Sequence, residues 1–194
     1  VAPEDGETPE ALLRNAESAL HRAKAQGGGN CEFYDAAFSA GALNRLTLES
    51  RLRRALEREE FLLHYQPKVE LASGRVVGAE ALLRWRTQEG QLVVPGDFIP
   101  VLEETGLIEP VGEWVLHAAC AQLAAWRAAG IGGFSVAVNL SARQFRGRDL
   151  AGRIAQIVYG HGLAPASLEL EVTESVVMAD AASAAATLRQ LKDM

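Results

Sequence analysis

Between residues 8 and 24, apolar side chains recur at spacings of three and four: Leu12, Leu13, Ala16, Ala19, Leu20 and Ala23. That period marks one face of an α-helix. Thr8 stands where a cap belongs and Pro9 at the first helical position, while Gly27-Gly28-Gly29-Asn30 ends the run. Cys31-Glu32-Phe33-Tyr34 then reads as a short extended piece. A second helix is predicted over 44–60, with Leu46, Leu48, Leu52 and Leu56 near one side. From Phe61 the period shortens. Phe61–Leu71 and Val76–Trp85 partly alternate around a turn signal at Ser73-Gly74, which predicts a β-hairpin.

Further on, Pro95 and Pro100 bracket an expected loop, and a short helix is predicted from Phe98 to Gly106. Glu113–Ala129 is strongly amphipathic and stops at Gly130. Phe134–Leu140 reads as a strand, Ala151–Gly160 as a helix, Leu168–Val172 as a strand, and another helix starts at Ala179. Strand and helix in alternation predict parallel strands joined by crossover helices. A doubly wound sheet and a (β/α) barrel both satisfy that order. Neither a Gly-x-Gly-x-x-Gly run nor a Walker loop occurs. Polar residues at strand ends (Glu80, Arg84, Asn139, Glu171) are what a barrel gathers at its C-terminal mouth.

Composition narrows the function classes. Hydrophobic residues make up 48% of the 194 and charged residues 23%, a folded-protein balance. Nineteen basic residues face 25 acidic ones, a net charge of −6, which argues against backbone-driven binding of DNA or RNA. A small phosphorylated ligand needs only one or two cations or a metal and stays open. The two cysteines, Cys31 and Cys120, make neither a disulfide framework nor a cysteine-rich zinc site. No membrane-length apolar run and no secretory leader are visible, so the expected location is cytoplasmic, with tethering of a longer parent left open.

The chemistry concentrates in the strands. Glu80, Leu82 and Arg84 share one strand face. Glu80 lies in an apolar run, where a carboxylate needs a partner: a metal, Arg84 or backbone donors. Asn139 closes the run Val136-Ala137-Val138, where it either ligates or simply turns the chain. Glu171 follows Leu168-Glu169-Leu170, and Glu174 caps the next helix or ties down a loop. Glu80, Asn139 and Glu171 form an all-oxygen set suited to Mg²⁺, Mn²⁺ or Ca²⁺, too small for a complete two-metal centre. Arg51, Arg53, Arg54 and Arg58, mixed with Glu49, Glu57, Glu59 and Glu60, read as a solvated helix face, with a phosphate-binding patch as the alternative. His21, His64, His117 and His161 show no ligand spacing; Trp85, Trp114 and Trp126 read as packing residues, and Cys120 as inert.

The run Glu80-Ala81-Leu82-Leu83-Arg84-Trp85 resembles the signature of the EAL family of cyclic di-GMP phosphodiesterases. Four further blocks resemble it in order: Tyr65-Gln66-Pro67-Lys68, then Phe98-Ile99-Pro100 with Glu103-Glu104-Thr105-Gly106-Leu107-Ile108, then Val138-Asn139-Leu140-Ser141, then Glu171-Val172-Thr173-Glu174-Ser175. The resemblance implies a modified TIM-type barrel whose first strand runs antiparallel to the rest. It implies metal-dependent opening of cyclic di-GMP to linear pGpG, with Mg²⁺ or Mn²⁺ active and Ca²⁺ inhibitory. Glu80, Asn139 and Glu171 are then the metal ligands, Glu80, Glu171 and Glu174 the catalytic group, and Gln66, Leu82, Arg84 and Pro100 the nucleotide-binding residues. A guanidinium such as Arg84's suits a phosphate as a fork-shaped donor.

Residues 16–24, followed by Gly27 to Phe33, resemble the last helix and strand of a GGDEF domain. The expected organisation is a GGDEF-like tail over 1–34, a linker helix over 35–60, and the N-terminal part of an EAL domain over 61–194. The Asp-Asp-Phe-Gly-Thr-Gly stretch that supplies the family's later aspartates does not occur. The expected fold is therefore α/β, a partial barrel truncated before its fifth strand, with an N-terminal helical extension. Its open edge predicts a dimer or a domain-swapped assembly. A non-catalytic cyclic di-GMP receptor and a structural interaction fragment are the competing readings.

Overall fold

The computed structural model describes residues 2–5, 7–25, 31, 33, 36–173 and 181–194. The chain divides into two compact units, residues 1–50 and 51–194. The first contains α1 (Pro9–Ala25) and the start of α2 (Ala36–Glu57). The Thr8 hydroxyl accepts a hydrogen bond from the Ala11 backbone N–H at 3.2 Å, the cap that the sequence predicts. α2 begins well before residue 44. Its early residues, Ala36-Ala37-Phe38-Ser39-Ala40-Gly41-Ala42, carry helix propensity in their alanines but no apolar stripe. Cys31 and Phe33 lie outside regular secondary structure, and Glu32 and Tyr34 are outside the described residues.

The second unit opens with the last turns of α2, where Leu52 and Ala55 are fully buried. The helix passes into the sheet through a tight corner. Glu59 takes a left-handed conformation at φ 56°. The Glu60 N–H donates to the Ala55 carbonyl at 3.0 Å, and the Arg86 N–H donates to the Glu60 carbonyl at 2.8 Å. The Trp85 indole N–H donates to Glu60 Oε2 at 2.9 Å.

The sheet holds β1 (Phe61–Val69), β2 (Val76–Arg86), β3 (Leu92–Val93), β4 (Ser135–Asn139) and β5 (Leu168–Glu171). Its order is β1-β2-β4-β5, with β3 added on β2. β1 runs antiparallel to β2, whereas β2, β4 and β5 are parallel. The fold is thus a mixed α/β sheet that does not close among the described residues, with the antiparallel first strand that the resemblance implies. The crossovers are made by α3 (Pro95–Thr105), α4 (Ile108–Ala128), α5 (Ala142–Phe145) and α6 (Leu150–Gly160), and α7 spans Ala181–Lys192.

Two local expectations change, and one helix is added. The loop expected between Pro95 and Pro100 is helix. Pro95 stands at its N-terminus, where a fixed φ and a missing N–H cost nothing, and Pro100 lies within it with both Pro100 and Gly96 exposed, so water can serve the freed Gly96 carbonyl. Gly106 ends this helix in the left-handed conformation, φ 81°, as its position predicts. α4 starts at Ile108 rather than Glu113, adding the buried Ile108, Val111 and Gly112. α5 occupies a stretch to which the sequence pattern assigns no element; Ser141 caps it through its hydroxyl, and Gln144 reaches back to the Ser141 N–H.

Alternation gives the sheet two unlike faces. Ala79, Ala81, Val136 and Val138 share the face under the helices and are buried. On the same side Tyr65 meets Trp126 edge-on at 4.8 Å, and Phe61, Trp85 and Phe98 form an aromatic cluster with centroids 6.0–6.1 Å apart along its contacts. Cys120 is buried there, and burial pushes its thiol up to about 11, which fits the inert reading. Tyr65 is pushed up to about 12, chiefly by burial and then by Cys120.

Candidate functional site

The other face of the sheet is polar. Register aligns Gln66 with Glu80 across β1 and β2, Glu80 with Ala137 across β2 and β4, and Asn139 with Glu171 across β4 and β5. Side chains of every second residue point the same way, so Gln66, Glu80, Asn139 and Glu171 share this face. The Asn139 amide Nδ2 donates to Glu80 Oε1 at 2.8 Å. The apolar run around Glu80 therefore does not leave it unpaired: its partner is Asn139 rather than Arg84.

Glu171 has a different partner. Lys68 Nζ lies 2.8 Å from Glu171 Oε1 and 3.0 Å from Glu169 Oε2. Glu169 also accepts from the Ser135 hydroxyl. The hydrogen bonds to Glu171 first and Glu169 second hold the Lys68 ammonium above its ordinary pKa. Ser135 first and Lys68 second hold the Glu169 carboxyl below its own. Lys68 lies 103 residues from Glu171 in sequence, so no local pattern announces the contact.

Leu82 and Arg84 line a cavity of about 300 Å³ with Pro95, Ile99, Glu103, Asn139, Ser141, Gln144 and Thr173. Arg84 Nη1 donates to the Leu83 carbonyl at 2.8 Å, which fixes one arm of the guanidinium. Of the residues expected to bind nucleotide, Leu82 and Arg84 meet at this cavity with the expected ligand Asn139. Gln66 is exposed beside Glu80, and Pro100 is exposed one position beyond Ile99 on α3. Glu174 lies outside the described residues.

The sequence does not mark Ser141 and Gln144 as site residues, although Ser-x-x-Gln after a strand is a capping pattern. The Ser141 hydroxyl and Gln144 Oε1 are 3.0 Å apart, and the Gln144 N–H donates to Ser141 Oγ at 3.2 Å. Gln144 in turn fills the space above Gly112 of α4, where a Cβ would come within 1.8 Å of its amide nitrogen. Gly112, Gln144 and Ser141 thereby fix the chain just after Asn139. Elsewhere, His117 Nδ1 and His161 Nε2 approach to 3.3 Å between α4 and α6, a pairing that 44 residues of separation hide.

The donor chemistry at Glu80, Asn139 and Glu171 fits a hard divalent cation: two carboxylates and an amide whose Oδ1 is the atom able to ligate, since Nδ2 serves Glu80. Among the described residues, no three His, Cys, Asp or Glu side chains come together as a metal-holding group. No described helix is long and apolar enough to cross a membrane.

The EAL domain family model matches residues 49–194. The chain is 44% identical over 192 residues to the bifunctional diguanylate cyclase/cyclic di-GMP phosphodiesterase MucR of Pseudomonas aeruginosa, covering 99% of this chain and 28% of that protein. It is similar to the solved PaMucR phosphodiesterase in its c-di-GMP complex, with 46% identity and a TM-score of 0.73 over 76% of this chain and 60% of that one. It is also similar to the EAL domain of Xanthomonas citri FimX in complex with c-diGMP, with 26% identity and a TM-score of 0.70 over 80% and 60%. The chain spans about a quarter of the length of the curated relatives it matches.

Proposed function

Because the chain belongs to the EAL domain family, we propose that it carries part of the active site of a metal-dependent phosphodiesterase that opens cyclic di-GMP to linear pGpG. The observation that carries this reading is the shared polar face: Glu80 bonded to Asn139 at 2.8 Å, Glu171 in register beside Asn139, and Leu82 and Arg84 at the adjoining cavity. Glu80, Asn139 and Glu171 are the residues that would hold Mg²⁺ or Mn²⁺. The chemistry supplied there is activation of a water and neutralisation of phosphoryl charge. Arg84 orients a phosphate through the guanidinium arm that its own backbone does not occupy. Leu82 offers an apolar wall, and Gln66 a hydrogen-bonding amide beside Glu80. Ca²⁺, larger and less strict in geometry, would be held by the same three residues.

The organisation that accompanies this reading is a GGDEF-like tail over 1–34, a linker helix over 35–60 and an EAL segment over 61–194. Its support is the alignment, which runs over 99% of the chain with a relative described as both diguanylate cyclase and phosphodiesterase. Binding without turnover is the second reading for this chain taken alone, favoured by the Lys68 ammonium, which occupies Glu171 Oε1 at 2.8 Å. A calorimetric titration with cyclic di-GMP in Ca²⁺, repeated in Mg²⁺ with product analysis, tests both. Saturable binding that weakens about tenfold or more in Arg84→Ala is expected. Linear pGpG appearing in Mg²⁺ selects catalysis, binding without product selects the receptor reading, and no binding in either metal overturns both.

A further inference from the structure

Lys68 makes a contact that strand order does not suggest. The sheet runs β1-β2-β4-β5, so Lys68 on β1 and Glu171 on β5 stand on its two end strands. Neighbouring strands lie about 4.8 Å apart, which puts the end strands of a flat sheet about 14 Å from each other. Side chains that stand up from a flat sheet would not meet across that gap. Yet Lys68 Nζ lies 2.8 Å from Glu171 Oε1 and 3.0 Å from Glu169 Oε2. The polar face is therefore concave, and the ammonium spans it as a chord.

The neighbouring residues hold the lysine in that position. Lys68, Gly78 and Ser135 are in register across β1, β2 and β4. A Cβ at Gly78 would meet the Ser135 carbonyl oxygen at 3.3 Å and Lys68 Cδ at 3.5 Å, so the bare glycine leaves room for the lysine stem. The Ser135 hydroxyl donates to Glu169, and Glu169 accepts from Lys68 in turn. Glu169 thus anchors the ammonium from one side while Glu171 takes it on the other. A compact point charge on Glu171 Oε1 does to that carboxylate what a bound cation does: it offsets the charge and fixes the direction of the side chain. Glu80, by contrast, is paired with the neutral amide of Asn139.

We propose that Lys68 is a built-in counter-ion for Glu171, which competes with a divalent cation for that carboxylate and retreats to Glu169 when the cation binds. The inference rests on the reading of Glu80, Asn139 and Glu171 as metal ligands. Lys68 is a positioning residue, because it acts through Glu171. Glu169 keeps the displaced ammonium paired, so the exchange strands no charge. The lysine thereby sets the cation concentration at which the site fills.

The test is calorimetric titration of the chain with CaCl₂, repeated with MnCl₂, at fixed ionic strength and without cyclic dinucleotide. Lys68→Met is expected to tighten cation binding about tenfold, since a unit positive charge is removed from beside a divalent ion. Glu169→Gln weakens it, because Lys68 then bears on Glu171 alone. Arg75→Gln removes the same charge at an exposed position between β1 and β2 and leaves the affinity unchanged. Damage to the fold would weaken binding, so tightening is a result that a merely structural lysine does not produce. If circular dichroism shows that Lys68→Met does not fold, Lys68→Gln takes its place with the same expectation. Saturable binding that Glu80→Gln abolishes, but that loss of the Lys68 charge leaves unchanged or weakens, overturns the proposal and leaves the metal-site reading standing. Tightening by Arg75→Gln as large as that by Lys68→Met also overturns it, since net charge alone would then be the cause. No saturable binding by the wild type or by Lys68→Met overturns both.

Discussion

The two faces of the sheet obey different rules although they share the same strands. Under the helices, Ala79, Ala81, Val136 and Val138 are at most 6% exposed. On the opposite face the Lys68, Glu169 and Glu171 side chains are 37–51% exposed, and their partners are one another. A period of two thus separates stability from chemistry within single strands. The apolar face makes the sheet hold. The polar face can carry a costly cluster of charge because water still reaches it and every carboxylate named there has a donor.

The contrast is broken most severely on the helical side. Phe98 is fully buried against Phe61 and Trp85. Phe98→Ala is expected to cost about 3–5 kcal/mol of unfolding free energy, read as a fall in the urea midpoint. A loss below 1 kcal/mol would mean that the aromatic cluster is not the anchor of that face. Gly112 of α4 packs against Gln144, just after the strand that carries Asn139. Gly112→Val drives into the Gln144 amide and is expected to cost about 1–3 kcal/mol, with faster hydrogen exchange at the Gln144 N–H as the capping box opens. Unchanged exchange would show that Gln144 can move aside freely.

The smallest effect belongs to the polar face. Lys68→Met is expected to change stability by less than about 1 kcal/mol, because an exposed ion pair is screened. Its pH dependence is distinctive. Lys68 is raised above 10.5, so its contribution holds at neutral pH and is lost as pH rises through the folded value. Glu169 is lowered below 4.5, so its share holds above that pH and is lost as pH falls through the folded value. The melting difference between wild type and variant should therefore be flat across the middle of the range and vanish at both ends. A difference that peaks near pH 7 would point to a histidine instead.

Much of this was legible in the residues. Alternation and turn signals place β1, β2, β4 and β5 and assign Glu80, Leu82 and Arg84 to one face. The ordered blocks around them carried the resemblance. What was missed was either short or non-local. β3 has two residues, and α5 has four, too few for any period to appear. Proline at the start of α3 signals a loop and a first helical residue equally well, and the sequence alone does not separate the two. The Lys68–Glu171 pair and the His117–His161 pair exist only because strands and helices far apart in the chain become neighbours. The arginines at the end of α2 were visible as charge.

The corner between α2 and β1 has a mechanical consequence. One residue in a left-handed conformation and two backbone hydrogen bonds at Glu60 leave no slack between helix and strand. The last turns of α2 therefore act as a crank rather than a tether: torque on them is delivered to the start of β1 and, through Arg86, to the end of β2. Inserting a single residue between Leu52 and this corner would carry Leu52 about 100° around the helix and out of the place where it is fully buried. The spacing from Leu52 to the corner is thus a phase angle, set to the residue.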